Sequence, residues 1–248
     1  MLRPTALLVL LAPLVGCADS FLLHPTTDPR AVPARTVRRT IPTPEGELEA
    51  WVRASPGVGG AAPAAFDVEF CGNASRAERM VERWSERWGD RSVEVWAVNY
   101  PGFGGSSGDA CLRRCVRAAE AAFDHVAAEA DGRPVFVGGS SLGSTFALHL
   151  AVARDVAGVL VRNPPPLREM ILWKHGWWNL WLLAVPVALQ VPEELDGVEN
   201  ARRSEAPAVF LSATRDGVVP PAYQRRVFDA YAGPTEWIEF EGRHSTRL

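Results

Sequence analysis

The chain has 248 residues, enough for one large α/β domain or two small ones. With 47% hydrophobic and 22% charged residues, it can build an ordinary core without a metal or disulfide staple. A formal net charge of −3 excludes a general electrostatic pull toward nucleic acid, and Lys174 is the one lysine among the basic residues.

Met1-Leu2-Arg3 is a short positive start, followed by an apolar run from Ala6 to Val15 that is too short to span a bilayer as a helix. The run closes on Leu14-Val15-Gly16-Cys17, which resembles a bacterial lipobox. Residues 1–16 are therefore expected to be a signal peptide cut before Cys17, whose thiol would carry lipid. The mature protein would be lipid-anchored to a membrane of the bacterial cell envelope. A plain signal peptide, giving a secreted or periplasmic protein, and an uncleaved anchor fit the same run. Residues 17–37 hold Pro25, Pro29 and Pro33 with little periodicity, and are expected to be a tether. The domain then occupies 38–248.

Arg39 to Arg53 reads as two extended pieces around Pro44-Glu45-Gly46, a hairpin signal. Gly57 to Ala62 loosely fits a nucleotide-binding G-x-G-x-x-A pattern, but Pro63 follows it and no helix can carry the phosphate. Strands and helices then alternate. Strands are predicted at Ala65–Phe70, Val93–Val98, Pro134–Val137, Val156–Val161, Ala208–Ala213 and Thr235–Phe240. Helices are predicted at Arg76–Trp88, Leu112–Ala130, Ser144–Ala153 and Ala222–Ala232. This rhythm implies a mostly parallel sheet with helices on both faces and chemistry at the carboxyl ends of the strands. Cys111 and Cys115, one helical turn apart, read as buried free thiols rather than a strained disulfide, and no Cys/His spacing suggests a metal site. Residues 164–203 break the rhythm. They begin with Pro164-Pro165-Pro166 and contain Trp173, Trp177, Trp178 and Trp181. A lid over an apolar substrate pocket and a helix packed on the sheet both fit this stretch.

The strand at Pro134–Val137 runs into Gly138-Gly139-Ser140-Ser141-Leu142-Gly143, and a helix follows. Within it lies G-x-S-x-G, with Ser141 at the centre. A nucleophile on a sharp strand-to-helix turn needs glycine two residues before and two after it. The turn aims the N–H of Leu142 at a developing oxyanion. A serine needs a base, and the base needs an acid. Of His24, His125, His149, His175 and His244, only His244 follows a strand directly, in Glu241-Gly242-Arg243-His244. Asp216, after the strand Ala208–Ala213, is the acid in the expected Ser, Asp, His order. A turn-forming Asp-Gly pair is the other use for Asp216.

The loop after Ala65–Phe70 reads Cys71-Gly72-Asn73-Ala74, and the one after Val93–Val98 includes Tyr100-Pro101-Gly102-Phe103-Gly104-Gly105-Ser106-Ser107-Gly108. On these motifs and the triad pattern, roughly residues 40 to 246 resemble the α/β-hydrolase-domain-containing serine hydrolases, which carry His-Gly-Asn-Ala at the first loop. The resemblance implies the α/β-hydrolase fold and Asn73 N–H as second oxyanion donor. It departs from the family at Cys71, where a histidine holds the loop, and in the four residues after His244, where the family has another helix. A loosely held base loop and a shortened form of the family both fit that second departure. The expected activity is cofactor-free cleavage of a carboxylic ester, small-molecule or lipid, through an acyl-enzyme. Acyl transfer to another acceptor, or a catalytically silent binding lipoprotein on the same fold, are the alternatives.

Overall fold

The computed structural model describes residues 17–28, 31–175, 177, 181–182 and 184–247; the expected signal peptide, residues 1–16, lies outside them, as does the side chain of Cys17. One sheet of eight strands carries the molecule: β1 (Val37–Thr43), β2 (Gly46–Ala54), β3 (Ala65–Phe70), β4 (Val93–Val98), β5 (Val135–Ser140), β6 (Gly158–Arg162), β7 (Ala208–Ala213) and β8 (Thr235–Phe240). Their spatial order is β1-β2-β4-β3-β5-β6-β7-β8. The β1–β2 hairpin is antiparallel and joins β4 antiparallel, while every later pairing is parallel.

The register sorts side chains onto two faces. Phe70, Gly139, Val161, Phe210 and Trp237 align across β3, β5, β6, β7 and β8 on one face. Four helices cover that face: α3 (Leu112–Ala130), α4 (Leu142–Ala153), α7 (Gly197–Arg203) and α8 (Pro221–Ala230). Phe70 meets Phe146 of α4, and Phe210 meets Phe228 of α8. The opposite face carries Asp67, Phe136, Leu160, Val209 and Ile238 and receives α2 (Ala77–Arg87) over β2, β4 and β3. There a groove of about 790 Å³ runs along Trp88, Phe136, Leu160 and Val209.

The segment expected to be a tether is docked over residues 17–28. It begins as a short helix, α1 (Cys17–Leu22), with Ala18 and Leu23 buried. Asp19 Oδ1 accepts the N–H of Leu112 at the start of α3. Residues 164–203 contain α5 (Leu167–His175), α6 (Ala184–Ala188) and α7, and much of this stretch is core: Ile171, Val191, Leu195 and Ala201 are buried. Its tryptophans are not core, for Trp173, Trp177 and Trp181 are about half exposed or more; Trp178 lies outside the described residues. No described helix is long and apolar enough to cross a membrane.

Candidate active site

Ser141 sits between β5 and α4 with φ 53° and ψ −121°, a backbone conformation that costs an L-residue roughly 1–3 kcal/mol and persists only where surroundings enforce it. The enforcement is steric. A Cβ on Gly139 would lie 2.3 Å from the carbonyl of Gly143, and one on Gly143 would lie 2.0 Å from the carbonyl oxygen of Phe70. Both glycines are therefore required for the elbow to close against β3. Ser141 N–H donates to Arg162 O at 2.8 Å, and Ser141 O accepts from Ser144 N–H at 2.9 Å. The side chain of Ser141 is left partly open at the carboxyl edge of the sheet.

His244 and Asp216 meet. His244 Nδ1 lies 2.7 Å from Asp216 Oδ2, so a neutral ring holding that bond carries its proton on Nδ1 and presents Nε2 as a base. Asp216 is buried, and its carboxylate is saturated with donors: Val218 and Val219 N–H reach Oδ1 at 2.8 and 2.9 Å, and Gln224 Nε2 reaches Oδ2 at 3.1 Å. Gly217 does not demand a glycine conformation, and nothing lies within 4 Å of where its Cβ would be. Asp216 thus shapes its own turn through Oδ1, while Oδ2 is turned to His244. Among the hydrogen bonds of the described residues, none joins Ser141 Oγ to His244. Such contacts are often long in a free enzyme and tighten on substrate.

The base loop is not loosely held. Asn163 Nδ2 donates to His244 O at 3.1 Å, and Arg162 Nη2 donates to His244 O at 3.3 Å and also to Thr246 O. Asn163 Oδ1 accepts Ala213 N–H at 3.0 Å, and Arg215 N–H donates to Gly242 O at 2.8 Å. Burial, followed by the nearby Arg83 and Arg87, pushes the Arg162 guanidinium down to about 10, and its plane lies over the Phe240 ring. Ser141 and His244 are thereby tied to the same dipeptide: Arg162 O holds the serine backbone, and the Arg162 and Asn163 side chains hold the histidine backbone. Arg162, Asn163 and Gln224 were not legible as site residues. The available signal was the place of Arg162 and Asn163 at the carboxyl end of the strand beside β5.

Leu142 opens α4, and its side chain is buried. The loop Cys71–Ala74 lies against the elbow, for a Cβ on Gly72 would sit 3.2 Å from Ser140 O and 3.5 Å from Ser141 Cβ. Among the described residues, no hydrogen bond engages the N–H of Leu142 or of Asn73. Cys71 is buried, and Tyr100 Oη donates to its carbonyl at 2.7 Å. Burial, then Glu69 and Glu78, hold its thiol well above the ordinary range, which disfavours the thiolate. Beside Gly217, a groove of about 830 Å³ is lined by Leu172, Trp173, Trp177, Trp181, Val218 and Tyr223.

The family model of the S33 serine aminopeptidases, Hydrolase_4, matches residues 68–174, which include Asn73 and Ser141 but end before Asp216 and His244. An uncharacterized protein of Mycobacterium tuberculosis is 25% identical over 153 residues, covering 60% of this chain and 52% of the relative. The chain spans about half the length of the curated relatives it matches. Among solved structures, Est1E from Butyrivibrio proteoclasticus with bound ferulic acid has a TM-score of 0.68 at 16% identity, over 83% of this chain and 90% of that one. The esterase Pf2001 of Pyrococcus furiosus has a TM-score of 0.65 at 15% identity, over 89% and 91%. The architecture is that of the α/β-hydrolase superfamily.

Proposed function

We propose that this chain, an α/β hydrolase by fold, is a serine hydrolase that cleaves a carboxylic ester through an acyl-enzyme on Ser141. The observation that carries the reading is the His244–Asp216 bond of 2.7 Å, tied through Arg162 and Asn163 to a serine in a strained strand-to-helix turn. Ser141 Oγ attacks the acyl carbonyl while His244 Nε2 takes its proton. Buried Asp216 orients the ring and stabilises the imidazolium. The N–H groups of Leu142 and Asn73 receive the oxyanion; losing one such donor typically costs about 3 kcal/mol of barrier. His244 returns the proton to the leaving alcohol, and water releases the acid by the same steps in reverse.

The tryptophan-lined groove beside Gly217 supports an acyl group of some length, as does the half-exposed indole surface around it. Esterases among the structural neighbours are in keeping with an ester substrate. Lipidation at Cys17 would place the site at a membrane of the cell envelope; the apolar run before Cys17 supports this.

A fluorophosphonate probe should label the full chain and fail to label Ser141→Ala. Absence of labelling in the wild type would leave a silent binding protein. Among p-nitrophenyl esters, chains longer than acetyl should be cleaved faster, and cleavage of acetyl alone would remove the lipophilic preference.

A further inference from the structure

Cys71 raises a mechanical question, because among the described residues its buried thiol has no hydrogen-bond partner with which to hold the loop that presents Asn73. Residues 18–28 supply what that loop lacks. His24 N–H donates to Asn73 Oδ1 at 2.8 Å, and Ala74 N–H donates to the same oxygen at 3.0 Å. Two backbone donors on one atom fix that end of the amide as oxygen. Asn73 Nδ2 must then be the donor toward His24 Nδ1, 2.7 Å away, and the His24 proton resides on Nε2. The Asn73 side chain is thus gripped at both ends by one residue 49 positions earlier in the chain.

The grip is anchored on either side. Thr26 O accepts Gly104 N–H at 2.9 Å, from the loop after β4. Buried Arg76 donates from Nη1 to Thr26 O and Asp28 O, both at 3.0 Å. Upstream, Asp19 caps α3, and Ala18 N–H reaches Gln190 Oε1 at 3.4 Å, just beyond α6. The segment therefore bridges the loops after β3 and β4, the start of α3 and the chain beyond α6.

We infer that residues 18–28 are a strap that positions the oxyanion loop, with His24 the positioning residue for Asn73. The catalytic consequence rests on the function proposed above; the structural one does not. The strap acts on the main chain of Asn73, whose N–H must point where charge develops, and small displacements of such a donor are costly in rate.

The test uses the full chain and three forms: wild type, His24→Ala and His24→Asn, the last keeping an acceptor near the position of Nδ1. Hydrogen exchange should speed up at residues 72–75 in His24→Ala and return toward wild type in His24→Asn. With p-nitrophenyl butyrate, kcat should fall about tenfold in His24→Ala while KM stays within about twofold, and His24→Asn should recover most of it. Unchanged exchange at residues 72–75 overturns the strap. Faster exchange with wild-type kcat overturns the positioning role, as does a kcat loss that His24→Asn fails to recover. A wild type that neither labels nor turns over sinks the proposed hydrolase and leaves the exchange result to decide the strap alone.

Discussion

Asn163 bears more of the candidate site than its chemistry suggests. It is fully buried, adopts φ 49°, and spends its amide on His244 O and Ala213 N–H. Truncation would strand a buried N–H and free one hold on the base loop. Asn163→Ala should cost about 1–3 kcal/mol of stability from the unsatisfied donor and lower kcat with little change in KM. Denaturant melts and ester kinetics check the two halves. A variant as active as wild type would show that the hold of Asn163 on the base loop is dispensable. Ser141, Asp216 and His244 were readable because each follows a strand, and strand ends are visible in sequence. Asn163, Arg162 and Gln224 were not, because their roles arise from sheet register and from a helix reaching back over a loop. A run of residues such as Arg162-Asn163-Pro164 has no spacing rule that announces it.

At the scale of elements, the elbow is specified by collision rather than attraction. Gly143 opens onto Phe70 O, so the helix start and the end of β3 approach more closely than any side chain allows. Gly143→Ala should destabilise by about 2–3 kcal/mol, as overpacked sites do, while Gly217→Ala, with open space and no positive φ, should change stability by about 0.5 kcal/mol or less. Parallel thermal melts decide it; equal shifts would mean the elbow relaxes. Five strand and helix spans, Ala65–Phe70, Val93–Val98, Leu112–Ala130, Ala208–Ala213 and Thr235–Phe240, lie where periodicity placed them. The nucleophile helix starts two residues earlier than expected, since the elbow itself ends where α4 begins. The docked strap was illegible for a different reason. It shows no periodicity, and besides the buried Ala18 and Leu23 it is held by hydrogen bonds to positions about 50 to 170 residues away.

At the scale of the molecule, four helices share one face of the sheet and α2 serves the other, so the central strand β3 is buried on both sides yet not apolar on both. Its alternation puts Phe66, Val68 and Phe70 toward α4, and Asp67 and Glu69 toward α2, where the sequence suggested only an apolar-rich strand. Trp88 Nε1 donates to Asp67 at 2.8 Å, and Arg87 reaches Glu69 Oε1 at 3.1 Å, while Glu69 Oε2 has no partner. Burial raises both carboxyls, Glu69 well above its ordinary value of 4.5, despite the opposing pull of Arg87. The sign follows from that direction. A raised folded-state pKa means the folded form resists ionising, so stability is full below the ordinary value and is lost as pH rises through the raised one, at about 1.4 kcal/mol per pH unit. Glu69→Gln keeps the shape and removes the ionisation. It should melt with wild type near pH 4 and above wild type near pH 8, by about 2–4 °C for each kcal/mol recovered. Melting temperatures of both forms across that range make the test. A variant that melts lower at pH 8 would show the Arg87 pair to outweigh the cost of burying its partner, and would overturn the pH dependence argued for Glu69.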